Sequence, residues 1–142
     1  MTQLNLVQAR TIIAAAHAGA AETGIASASV VVTDAGGAIR AAERGDTVGT
    51  FGVSIATAKA RTALGFGRSS VKLAAVFGDK PAVVTGLAGA VGGDFLPLGG
   101  GVVIVDAADT VIGAAAIAGG APDVDHAVIT AAVEAAGLKP RE

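Results

Sequence analysis

Two stretches of this chain share one strand grammar, and together they fix the kind of sheet it can build. Val30-Val31-Val32-Thr33-Asp34-Ala35-Gly36-Gly37-Ala38-Ile39-Arg40 stands near the front, and Val102-Val103-Ile104-Val105-Asp106-Ala107-Ala108-Asp109-Thr110-Val111-Ile112 near the back. Each is a β-branched run, a turn cluster opening on Asp, and a second apolar run. Val and Ile suit a pleated, buried surface, while Asp and Gly release the chain from extended geometry. The pattern predicts two hairpins in one sheet, the first over roughly 28–43 and the second ending near Ala118. Short turns make the pairing antiparallel. Asp34 and Asp106 read as residues that shape turns.

Helical spacing fills the intervals. Asn5 caps a first helix reaching to about Thr23, with Leu6, Ala9, Ile13, Ala16 and Ala20 at helical spacing and Gly24 at its end. A second helix is predicted over about 50–66, and a short third one from Ser69 or Ser70 through Phe77. The Gly-broken stretch 81–93 reads as loop with a short helical piece, and 95–98 as a short strand. Asp123 is placed to cap a last helix over about 124–136, stopped by Gly137. The order is helix, two strands, helices, two or three strands, helix. That is an α+β layer domain occupying all of residues 1–142, with no linker.

Composition excludes several function classes. A net charge of -2 and 3% aromatic residues leave neither the basic field nor the stacking platforms of a nucleic-acid binder. With no Cys there is no disulfide, thiolate nucleophile or thiolate metal site. No signal peptide or bilayer-spanning stretch is visible, so the expected location is cytoplasmic. The chain is 52% hydrophobic and only 15% charged, so burial between subunits is expected and a homo-oligomer is predicted.

Chemistry-bearing motifs are sparse. Gly99-Gly100-Gly101 precedes a strand rather than opening a helix, so it lacks the helix N-terminus that would bind pyrophosphate. No serine stands in a nucleophile elbow. The two histidines, His17 and His126, fall on different helices. His17, one turn after Ile13, is either a helix-surface histidine or an axial haem ligand, since one imidazole suffices to hold haem iron. Arg44, Asp46, Lys59 and Arg61 form the densest polar group. They read either as an ion-pair lattice, with Asp46 bound to Arg44 or Lys59, or as a carboxylate-binding pocket.

An ordered set of short motifs now resembles a known family. Val31-Val32-Thr33-Asp34-Ala35-Gly36-Gly37, then Arg44-x-Asp46, then Ala56-x-x-Lys59-Ala60-x-Thr62-Ala63, then Ser69 or Ser70 is similar to the GlcG/HbpS-like (DUF336, haem-degrading) family. Gly99-Gly100-Gly101, Val111-Ile112-Gly113-Ala114, Gly119-Gly120 and Asp125 continue the match over nearly the whole chain. The resemblance implies a profilin-like or roadblock-like α-β-α sandwich on a mainly antiparallel five-stranded sheet. It also implies assembly into dimers and up to octamers, and in haem-binding members a first-helix histidine on iron. His17 matches that position. Many relatives carry Gly-Gly-x-Pro-Ile before the second hairpin and Ser-Gly after it, where this chain has Gly100-Gly101-Val102-Val103 and Ala118-Gly119. If those positions line the family's pocket, this member's pocket is the more apolar.

Three functional expectations follow. The first is an oligomeric haem or small-ligand binder, with His17 on iron and Arg44, Lys59 or Arg61 on the propionates. The alternative is a cofactor-independent isomerase, lyase or hydrolase of an anionic metabolite. There Asp46 or Asp125 would be the base, Lys59 the acid, and Arg44 or Arg61 the substrate clamp. The third is a structural subunit that serves as a dimerisation platform.

Overall fold

The two Asp-led turns close in the same way. In the computed structural model, which describes residues 3–142, Asp34 Oδ1 accepts from the N–H groups of Gly36 at 2.9 Å and Ala38 at 3.0 Å. Asp106 Oδ1 accepts from Ala108 and Thr110, both at 2.9 Å. The fourth turn residue is left-handed in both: Gly37 at φ 85° and Asp109 at φ 63°. Glycine takes that conformation without steric cost, and Asp tolerates it better than most residues.

The element order is α1 (Leu6–Glu22), β1 (Ser29–Asp34), β2 (Ile39–Arg44), α2 (Gly52–Phe66), α3 (Ser70–Phe77), α4 (Pro81–Ala90), β3 (Gly101–Val105), β4 (Val111–Ala118), α5 (Pro122–Ala135) and β5 (Lys139–Arg141). The hairpins β1–β2 and β3–β4 join through β1 and β4, giving one sheet in the order β2-β1-β4-β3-β5. Every pairing is antiparallel. The expected α+β architecture is present, helices flanking a five-stranded sheet.

Side chains alternate across the sheet and sort the helices into two layers. Val30, Val32, Val102, Ile104, Ile112, Ala115 and Ile117 pack with Ile12, Ile13 and Ala16 of α1 and with Val128, Ile129 and Val133 of α5. The opposite face carries Val31, Ala114, Ala116, Val103 and Val105 against Ala56, Ala60 and Ala63 of α2. Both faces of β1, β3 and β4 are therefore buried, which explains their unbroken apolar runs. Alanines on β4 and Gly101 on β3, where a Cβ would collide with Lys59 O, let the α2 backbone come close, so few aromatics are needed to fill the core.

Helix α1 starts as the sequence indicates: Asn5 Oδ1 accepts from Gln8 N–H at 2.8 Å, and Gln8 Oε1 from Asn5 N–H at 3.0 Å. This is a reciprocal capping box.

Three local expectations need correction. Residues 95–98 form no strand; the fifth strand is β5, paired with β3 through Val103–Arg141, Ile104–Pro140 and Val105–Lys139. Leu96 N–H donates instead to Thr62 Oγ1 at 2.7 Å, and Phe95 is buried against Phe66 and Phe77. Those contacts hold the segment to α2 rather than to the sheet. The stretch 81–93 contains a ten-residue helix, α4, opened by Pro81 in its first turn, and none of its residues is buried. Asp123 does not cap α5: Ala121 holds the cap position, Pro122 opens the helix, and Asp123 and Asp125 lie in its first turn.

Candidate functional site: a buried ion pair and the surfaces around it

Lys59 projects from α2 toward the end of the sheet and is only 4% exposed. Its Nζ donates to Ile117 O at 3.2 Å and to Asp125 Oδ2 at 3.1 Å. Asp125, in the first turn of α5, is fully buried. Its Oδ1 accepts from Gly120 N–H at 2.9 Å and its Oδ2 from Gly119 N–H at 3.3 Å. Burying two charges is tolerated when they pair and their remaining hydrogen-bonding capacity is largely filled; here both Asp125 oxygens accept backbone N–H groups, and Lys59 Nζ has a carbonyl besides the carboxylate.

Gly100 stands between the two charged groups. At φ 125° it adopts a conformation side chains rarely take, and a Cβ there would lie 2.6 Å from Ile117 O and 3.0 Å from Lys59 Nζ. Next to it, Ser70 Oγ accepts from Gly101 N–H at 2.8 Å and lies 3.3 Å from Gly101 O. The pair thus locks α2, α3 and α5 onto the ends of β3 and β4. The structure brings Lys59 and Asp125 together, with almost no surface of either residue exposed.

The other candidate residues do not converge on one surface. Asp46 is exposed in the loop 45–51 and makes no ion pair or hydrogen bond among the described residues. Arg44 is exposed at the end of β2, with Nη1 donating to Val48 O at 3.3 Å. Arg61 donates through Nε to Gly37 O and through Nη1 to Asp94 Oδ2, both at 3.0 Å. It ties the first hairpin turn to the segment before Phe95.

His17 lies in the opposite layer, on α1. Its Nε2 is 3.1 Å from Glu43 Oε1, and its side chain is 30% exposed. His17 on one face and Lys59 and Arg61 on the other therefore share no surface within a protomer. The second histidine, His126, has Nε2 3.0 Å from Glu142 Oε1, while its Nδ1 is buried without a partner. Sequence reasoning missed Glu43 and Asp94 as partners. The alternation of β2 was the one available signal for Glu43, and nothing local pointed to Asp94.

Two of the hollows that flank α2 have mainly apolar walls. A shallow one of about 310 Å³ lies at its N-terminal end, lined by residues including Val48, Phe51, Gly52, Ile55, Ala118 and Gly119. Another of about 350 Å³ lies beside Arg61, walled by Phe66, Leu87, Val91 and Phe95. No group of three or more His, Cys, Asp or Glu among the described residues is placed to hold a metal ion. No helix among them is long and apolar enough to cross a membrane.

The family model described as haem degrading protein HbpS-like matches residues 4–134. The chain belongs to the HbpS-like family. The match takes in α1 through nearly all of α5 and stops short of β5. A crystal structure of a PduOC:heme complex superposes with a TM-score of 0.86 at 22% identity, covering 99% of this chain and 100% of that one. The ORFY protein of Klebsiella pneumoniae gives 0.85 at 22% identity, covering 96% and 93%. A crystal structure of HbpS gives 0.78 at 27% identity, covering 94% and 90%. No curated protein matches the chain. In this HbpS-like chain, Ala118-Gly119 lines the shallow hollow at the N-terminal end of α2. Its neighbours there include the apolar Val48, Phe51 and Ile55.

Proposed function

We propose that this chain is a homo-oligomeric haem-binding protein in which His17 is the iron ligand. The observation that carries the reading is the contrast between the two histidines. The His17 imidazole reaches the surface and its partner is the exposed carboxylate of Glu43, whereas His126 keeps one ring nitrogen buried. Membership of the HbpS-like family and the fold shared with the PduOC:heme complex support haem as the ligand.

The surface around His17 fits a planar group. Ala14 and Ala21 stand one turn before and after it, both exposed and too short to hinder a flat ring. Arg10, two turns earlier and also exposed, is the cation that α1 itself offers to a propionate, while Arg44, the neighbour of Glu43 on β2, turns to the other face and donates to Val48 O. Lys59 and Arg61 lie in the other layer and fall outside a site built by one protomer. Bound haem would supply an iron centre with redox and ligand-exchange chemistry. The protein's part is to present Nε2 once Glu43 releases it.

His17 lines neither of the hollows beside α2. A ligand that size is normally buried over most of its surface, so a second copy must supply the facing wall. Helix α4 supports assembly. Its sequence Pro81-Ala82-Val83-Val84-Thr85-Gly86-Leu87-Ala88-Gly89-Ala90 carries no charge, yet none of it is buried in the protomer. A helix apolar all round belongs in an interior.

The test is a hemin titration of the wild type and His17→Ala, followed by the Soret band, with circular dichroism to establish that the variant folds. A saturable band that the variant loses or shifts is expected. An identical band in a folded His17→Ala protein would remove His17 as the ligand.

A further inference from the structure

We propose that the N-terminus of α2 is a binding site for a small carboxylate carrying an apolar tail, separate from His17 and in the opposite layer of the fold. Helix α2 begins without a side-chain cap and without an acidic residue in its first turn. The backbone N–H groups of Val53 and Ser54 have no acceptor among the described residues. Unpaired N–H groups and the helix dipole together favour a negative charge at this end.

A second observation points the same way. Ser29, the first residue of β1, is fully buried, and its Oγ has no hydrogen-bond partner among the described residues. It lies directly beneath Gly52, the first residue of α2, where any side chain would collide with that hydroxyl and with Val48. A buried hydroxyl with no partner is rare in native proteins and calls for a ligand or water to complete it. The absence of a side chain at Gly52 leaves the hydroxyl facing the turn that holds the free N–H groups.

Charge and shape define the ligand. Arg44 crosses this loop to Val48 O and has no carboxylate partner among the described residues, Asp46 of the same loop included. Its remaining N–H groups offer a carboxylate the fork that guanidinium provides. The walls beyond are Val48, Phe51, Ile55 and Ala118, with Phe51 72% exposed. One arginine and a few neutral donors suit a single negative charge better than a phosphate dianion, and the walls suit an alkyl tail.

Calorimetric titration of the full chain with hexanoate, hexanamide and inorganic phosphate tests the site. Hexanoate should bind saturably, with hexanamide weaker by about tenfold or more, because a hydrogen bond to a charged group exceeds a neutral one. Ser54→Glu, at an exposed first-turn position, places a fixed carboxylate at the positive end of the helix, where it competes with a bound anion. It should weaken hexanoate by about tenfold and leave the hemin spectrum unchanged. Ser29→Ala should weaken hexanoate several-fold in a protein of wild-type melting temperature or higher. Equal affinity for acid and amide, tighter binding of phosphate, no hexanoate binding, or hexanoate affinity unaltered by Ser54→Glu would each overturn the proposal. Failure of hemin to bind would leave it standing, since His17, Arg10 and Glu43 take no part in this site.

Discussion

Lys59 Nζ and Asp125 Oδ2 meet at 3.1 Å although the residues are 66 positions apart. Their contact joins the layer of α2 to the layer of α5 around the end of the sheet. Removing one member leaves the other charge buried and alone, which costs about 3–5 kcal/mol. Lys59→Met and Asp125→Asn should each lower the unfolding free energy measured in urea by that order. The Lys59→Met/Asp125→Asn double variant should lose markedly less than the sum, because the two groups interact directly. Losses below about 1 kcal/mol in both single variants would mean the pair is idle.

Gly100 supplies the gap through which that pair meets. Gly100→Ala combines a disallowed backbone conformation with a collision at Ile117 O, and should cost about 2 kcal/mol or more by thermal or urea denaturation. Gly92→Ala is the control. Its φ is also positive, 72°, but a Cβ there meets nothing within 4 Å, so its cost should stay near about 1 kcal/mol. Similar losses in the two variants would show that crowding at Gly100 is unimportant.

The two Asp-led turns make a matched pair of experiments. Asp34→Ala and Asp106→Ala each delete a carboxylate oxygen that accepts two backbone N–H groups. Each turn lies at the exposed tip of its hairpin, so each substitution should cost about 1–2 kcal/mol. The two costs should be similar, because each turn also anchors an arginine: Gly37 O accepts from Arg61 Nε at 3.0 Å and Asp109 Oδ2 from Arg141 Nη2 at 3.1 Å. A cost within error of zero at either position would reduce these bonds to crystal-like detail without energetic weight.

Helix α4 carries the expectation for assembly. Val83→Lys and Val91→Lys place charge on exposed apolar positions at either end of it. Light scattering coupled to gel filtration should show a smaller assembled mass with unchanged circular dichroism. An unaltered mass in both variants would place the subunit contact elsewhere.

Much of the fold was legible because its signals are local. The hairpins announce themselves through Val runs and Asp turns, and Asn5 and Gln8 mark the start of α1 within four residues. What stayed hidden depends on contacts across the chain. The run Val30-Val31-Val32 is buried on both sides, so it gives no hint that α1 takes one face and α2 the other. That division is what separates His17 from Arg61. The pairing of Lys59 with Asp125 rather than Asp46 is equally invisible, since proximity in sequence favours the wrong partner. The fifth strand was misplaced because Phe95 and Leu98 look strand-like, whereas Lys139-Pro140-Arg141 has poor intrinsic strand character and pairs only because β3 offers an open edge.

That short last strand has a consequence for how the protein survives its own composition. Proline cannot donate to a neighbouring strand, and Pro140 sits in the middle of β5 with a basic residue on each side. At the far end of the sheet, β2 carries Arg40, Glu43 and Arg44, and its pairing with β1 is interrupted by a bulge near Val32 and Thr33. Both rims of the sheet are therefore poor templates for an incoming chain. A polypeptide this rich in valine and alanine would otherwise polymerise edge to edge. With both rims stoppered, any self-association is steered away from fibre growth and onto the helical faces, where it can close.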